Sequence, residues 1–170
     1  MAFYAPQYRC RKRVIRDDDG RSTDATRANL GKKAEDLIRG TLDKLYKAHP
    51  NFDFQRLYDA HTAGGIFPAQ IADFLFFLGR VHGAIEIKEV KHDFRLPKKN
   101  FPVKKHQALL RREQAGGKIL IFIRFLPLDI WRSIPLSLFL SDPEAASWDL
   151  RSFEILDFKQ ISEQILGGKF

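Results

Sequence analysis

Apolar residues recur at helical spacing in the first third of the chain and in alternating or continuous runs in the middle. The predicted elements follow from that change of period. Ala34, Leu37, Ile38, Leu42 and Leu45 fall on one stripe, which predicts a helix over residues 26–48 with one buried face. Gly31 and Gly40 weaken it, each by roughly 1 kcal/mol against Ala, and His49-Pro50-Asn51 ends it. Residues 52–59 read as a short aromatic strand and 62–65 as a loop. Residues 69–77 form a strongly apolar strand carrying one acid, and residues 84–90 return. The glycine-bounded segment 79–83 between them is a tight connection, so the three pieces predict a hairpin. Residues 92–102 are a basic, proline-containing loop. Residues 103–114 read as a helix stopped by Gly116-Gly117, and 118–125 as a buried strand. Past Pro127 the pattern is weaker: residues 131–140 are expected to pack over the sheet and 158–166 to form a short terminal helix. Short strands alternating with helices predict an α/β domain, a central mixed sheet flanked by helices.

A length of 170 residues suits one domain. The expected division is a basic, flexible N-terminal arm over residues 1–24 and a folded domain over 25–170. A composition with 44% hydrophobic residues excludes a disordered chain. The net charge of +8 favours a polyanionic partner, because Lys and Arg that neutralise phosphates release condensed counterions. A merely basic protein has the same sum, so the distribution of charge decides more than its total. In the arm, Arg9, Arg11, Lys12, Arg13, Arg16 and Arg21 surround Asp17 to Asp19, which reads either as a solvated tail or as an arm that orders on nucleic acid. Cys10 is the only cysteine, so no intrachain disulfide forms. The longest apolar stretches, residues 74–78 and 119–123, are too short to span a bilayer. No membrane partner and a cytoplasmic location are expected.

The informative feature is the acid inside an apolar run. Asp73 stands in Ile71-Ala72-Asp73-Phe74-Leu75-Phe76-Phe77, where a carboxylate is expensive unless it is paired or binds a metal. The returning strand holds Ile85-Glu86-Ile87-Lys88. Side chains alternate across a strand, so Glu86 and Lys88 share a face, and the hairpin brings Asp73 to them. Two carboxylates with a neighbouring amine suit Mg²⁺, which takes one or two protein carboxylates and keeps several waters. Such an ion activates a bound water and polarises a phosphoryl oxygen, while an amine stabilises the charge that develops there. The alternative is an amphipathic strand whose polar face makes an ordinary salt bridge to Asp73. His61, His82 and His92 have no zinc spacing with any cysteine pair.

These residues resemble the PD-(D/E)xK nuclease superfamily and, within it, the RecU-type Holliday junction resolvases. The carriers are Asn29-Leu30-Gly31 followed by Glu35, then Asp73, then Glu86-Ile87-Lys88. Phe101-Pro102, His106-Gln107 and Gly116-Gly117 with the β-run behind it complete the series. The series spans residues 29–125, and Ala72 stands where the superfamily name has its proline. The resemblance implies a restriction-endonuclease-like fold and Asp73 and Glu86 as metal ligands. It implies Lys88 as the catalytic lysine, Glu35 as the first-helix glutamate near the metal, and Gln107 as the helix glutamine near the site. It further implies an endonuclease that uses Mg²⁺, with Mn²⁺ as a substitute, and cuts four-way DNA junctions by paired symmetric nicks in recombination and repair. A homodimer, encoded by a bacterium or by a phage in a bacterial host, is the implied state.

Lys91, Arg95, Lys98, Lys99, Lys104 and Lys105 follow the site in sequence, with Arg111 and Arg112 beyond them, so backbone contacts to DNA are expected there rather than base reading. The alternatives are a restriction-like or repair endonuclease of the same fold, or a non-catalytic basic DNA-binding module.

Overall fold

The computed structural model describes residues 23–57, 70–91 and 94–167, with side chains from residue 33 onward. Residues 1–22 of the expected arm, Tyr58 and Asp59 of the expected first strand, and the 62–65 loop lie outside the described residues. Helix α1 runs Thr23–Ala48, starting slightly before the expected residue 26. Its stripe of Ala34, Ile38, Leu42 and Leu45 is buried in the core, as the helical spacing requires.

Strands β1 (Phe52–Arg56), β2 (Phe74–Leu78) and β3 (Val81–Val90) form an antiparallel meander. Leu78 pairs with Val81, so the turn is only Gly79-Arg80, and Gly79 takes a φ of +58° that a primed two-residue turn favours. The expected connection over 79–83 is therefore too long, and Gly83 lies inside β3. A Cβ at Gly83 would come 2.3 Å from the Phe76 ring and 2.4 Å from the Lys118 carbonyl oxygen, so close packing of chain on chain selects glycine there.

The expected strand over 69–77 also starts later, at Phe74. Asp73 donates its N–H to the Ile85 carbonyl (3.0 Å) while its own carbonyl accepts from Leu57 N–H (2.9 Å). A regular strand residue turns both groups toward the same neighbour, and this split ends the ladder at Asp73.

The chain continues through β4 (Arg95–Pro97), a 3₁₀ turn at Lys98–Asn100, α2 (Val103–Gln114) and β5 (Lys118–Phe125). Strand β5 lies parallel to β3, which requires a crossover of this length. The remaining elements are β6 (Ile130–Ser133), α3 (Leu136–Ser141), β7 (Ser147–Asp149), β8 (Ile155–Leu156) and α4 (Phe158–Leu166). The terminal helix falls where its pattern places it and starts on a capping box between Asp157 and Gln160. Two expectations are corrected. The 92–102 segment is not all loop, because β4 pairs with β7 in a small second sheet. Residues 131–140 do not all cover the sheet, because β6 is a member of it and only α3 lies outside.

The main sheet has the order β1-β2-β3-β5-β6-β8, mixed, with one parallel pair at its centre. Helices α1 and α4 cover one face through Ile38, Leu42, Ile161 and Ile165, packed on Phe74, Phe76, Ile85 and Phe122. Helices α2 and α3 cover the other through Leu109, Leu136 and Phe139, packed with Ala84, Ile121, Ile123 and Phe125.

Candidate active site

Register builds the site. Phe74 pairs with Ile85, so Asp73 arrives beside Glu86 at the end of β2. The Asp73 carboxylate accepts the Ile87 N–H at 2.6 Å and the Gln70 side-chain amide at 3.3 Å. Its side chain thus supplies the acceptor that an uninterrupted β2 would have offered to Ile87, and the aspartate is fixed in place.

Glu86 is fully buried. Its Oε1 lies against the amines of both Lys88 and Lys105, the latter at 2.5 Å, whereas its Oε2 has no hydrogen-bond partner among the described residues. Burial pushes the Glu86 carboxyl above the ordinary carboxylate value, and the nearby Asp73 charge adds to the rise, against the pull of the two lysines. Burial works against the Lys88 ammonium, but Glu86, Asp73 and Glu35 together hold its pKa above the usual lysine value. Lys88 is therefore a fixed cation at neutral pH.

Glu35 approaches from α1 and is close enough to feel the charges of Asp73 and Lys88. Burial first, and Asp73 second, raise its pKa. The Arg56 guanidinium opposes them by pairing with Glu35 Oε2. The structure thus brings Glu35, Asp73, Glu86 and Lys88 together with two cations that the sequence reading did not place in the site, Arg56 and Lys105. Both had a signal. Arg56 alternates with Phe52 and Phe54 on β1 and so shares their face. Lys105 precedes buried Leu109 by four positions on α2 and so shares its inward side.

The other sequence candidates fall around this centre. Gln107 lies on α2 with its side chain exposed. Lys91, Arg95, Lys99 and Lys104 are exposed, and Lys98 pairs with Glu144 at 2.7 Å. Among the described residues no three His, Cys, Asp or Glu side chains form a closed metal cage. Two carboxylates, one with an unpartnered buried oxygen, are nonetheless a donor set that fits Mg²⁺, which draws its remaining ligands from water and phosphate. Among the described residues no helix is long and apolar enough to cross a membrane.

A mixed six-stranded sheet with helices on both faces, and a buried acid hairpin at its centre, has the restriction-endonuclease-like fold. Among solved structures, the chain is similar to Hjc of Archaeoglobus fulgidus, a Holliday junction resolvase from an archaeal hyperthermophile. The TM-score is 0.53 at 22% sequence identity, over 78% of this chain and 99% of that one. No family model matches the chain, and no curated protein matches it. At this identity the similarity speaks for the fold. It also gives no support to the bacterial or phage source that the sequence resemblance implied, since the neighbour is archaeal.

Proposed function

We propose that the protein is a metal-dependent endodeoxyribonuclease that resolves four-way DNA junctions, acting as a homodimer in the manner of the RecU-type enzymes. The observation that carries the reading is Glu86, a fully buried carboxylate with one orphan oxygen, set beside Asp73 and Lys88. A burial this costly serves chemistry better than stability. The fold shared with a junction resolvase supports the choice of substrate.

Asp73 and Glu86 would hold Mg²⁺, or Mn²⁺ in its place, and Glu35 would act in the surrounding shell. When bound, such an ion lowers the pKa of a coordinated water and polarises a phosphoryl oxygen. Lys88 stabilises the negative charge that builds on the phosphate as water adds and the strand oxygen leaves. Lys105 offsets the charge of Glu86, and its release toward the phosphate would add a second cation there. Gln107, exposed on α2, would contact a phosphate of the DNA. The exposed Lys91, Arg95, Lys99 and Lys104 would follow the backbone of the DNA arms. A two-fold dimer supplies the two sites that paired nicks require.

The test is cleavage of a labelled synthetic four-way junction and of a matched linear duplex, with Mg²⁺ and with chelator. The wild type nicks the junction only when Mg²⁺ is present, and Asp73→Asn does not. Equal cutting of both DNAs would replace the resolvase by a duplex endonuclease of the same fold. No Mg²⁺-dependent cutting would leave a DNA-binding module.

A further inference from the structure

A cleft of about 450 Å³ lies beyond the site, lined by Phe94, Arg95, Phe125, Pro127, Leu128 and Arg151. This volume is within the roughly 300–1,000 Å³ of small-ligand sites. Its position is set by register. Lys88 pairs with Ile123 and Val90 with Phe125, so the Phe125 wall lies two residues past Lys88 on the same face of the sheet. That is roughly 7 Å along the strand, or about two stacked base steps of DNA.

The lining combines an apolar wall with guanidiniums. Leu128 is 60% exposed, unusual for a leucine held over a cavity, and Phe94 and Phe125 lie with ring centroids 5.0 Å apart. Arg95 faces Asp149 across the β4–β7 pair, and Arg151 engages the same carboxylate through its Nε at 3.0 and 3.1 Å. Behind the rings lies Arg132, buried, 5.3 Å from the Phe94 centroid and 5.9 Å from that of Phe125. Its Nε has no hydrogen-bond partner among the described residues, and it forms none of the ion pairs found there. Two guanidiniums thus share the Asp149 carboxylate, and a third lies behind the aromatic wall. A buried guanidinium raises the positive potential of the cavity beside it.

We propose that this cleft binds one unpaired nucleotide of a branched DNA, its base against the Phe94 and Leu128 wall and its phosphate at Arg95 and Arg151. The proposal rests on the nuclease reading for the presence of DNA and deepens it, because paired duplex has no base free to enter. Base–aromatic stacking contributes about 1–3 kcal/mol per base, so the preference for an available base is about tenfold.

The experiment measures Kd, by anisotropy without Mg²⁺, for a labelled duplex with one unpaired central nucleotide and for the same duplex with a base-less residue at that position. Cleavage of a four-way junction by the same preparation is then measured after Mg²⁺ is added. The wild type binds the first DNA about tenfold more tightly; Leu128→Glu reduces that ratio toward one, whereas Arg95→Ala weakens both DNAs and leaves the ratio unchanged. Equal affinity of the wild type for both DNAs, or a ratio untouched by Leu128→Glu, overturns the cleft. Equal affinity for the two duplexes together with Mg²⁺-dependent junction cleavage overturns the cleft and leaves the nuclease. A base preference without Mg²⁺-dependent junction cleavage supports the cleft and overturns the nuclease.

Discussion

Glu86 and Glu89 stand three residues apart on β3 and face opposite sides of the sheet. Burial raises the pKa of both. Their surroundings differ in kind. Glu89 meets the Arg124 guanidinium at 3.1 Å, and the same guanidinium binds Asp129 at 2.6 Å and lies 5.9 Å over the Trp131 ring. One planar, rigid cation thereby joins β3, β5 and the turn before β6. Glu86 has no guanidinium. Two flexible lysines crowd one of its oxygens, and the other has no partner among the described residues. Arginine makes a fixed fork, whereas an ammonium is a mobile point charge. The comparison separates a pair that holds strands together from a buried carboxylate with one oxygen left open, the one proposed to take a metal.

The largest effect that sharpens this contrast is on cleavage. Glu86→Gln removes one of the two proposed metal ligands, and with a bound ion supplying several kcal/mol of transition-state stabilisation junction cleavage is expected to fall by about a thousandfold or more. Glu89→Gln leaves the rate close to wild type. Single-turnover rates on the junction check both. Stability reverses the order. Arg124→Ala strands the nearly buried Glu89 and lowers unfolding free energy by about 3 kcal/mol, read from urea denaturation. Glu86→Gln leaves the metal-free protein as stable as wild type or more so.

If the Lys88 charge acts on the transition state as proposed, Lys88→Ala slows cleavage by about a hundredfold with Kd for the junction little changed. Lys105→Ala has a smaller effect, of about tenfold, on the same rate. At 100 times its Kd, Mg²⁺ raises the unfolding free energy of the wild type by about 2.7 kcal/mol. Thermal melts should find that rise in Glu89→Gln and miss it in Glu86→Gln.

The smallest effect is on pH dependence. Burial holds the Glu86 carboxyl above its ordinary value of 4.5. Between that value and the raised one, the folded chain keeps a proton that the unfolded chain has released. The stability linked to this proton is complete below about pH 4.5 and is lost as pH rises through the raised pKa. In metal-free melts, the Tm of Glu86→Gln should therefore gain on wild type as the pH goes from about 4 to 7. A constant difference would place the Glu86 charge outside the buried site.

Much of this contrast was legible in the sequence, and the missing parts share a cause. The α1 stripe, the returning strand with its E-x-K spacing, and α4 rest on local periodicity, which the chain displays directly. Strands β4, β7 and β8 are two or three residues long, too short for any period, and exist because the chain pairs them at a distance. Asp73 was legible as an acid in an apolar run. Its position outside β2 was not, because the split hydrogen bonding to Ile85 and Leu57 depends on two other segments. Lys105 was read as one of a row of surface cations. Only the helical phase fixed by buried His106 and Leu109 turns it toward Glu86 and leaves Gln107 outside.

The most direct measurement is to map every nick on the four strands of a synthetic junction cut by wild type and by Glu86→Gln in Mg²⁺. The account predicts two nicks, symmetric about the branch point and on opposing strands, made by the wild type and absent from the variant. Nicks scattered along the arms without regard to the branch, or the same pair of nicks from Glu86→Gln, would contradict it.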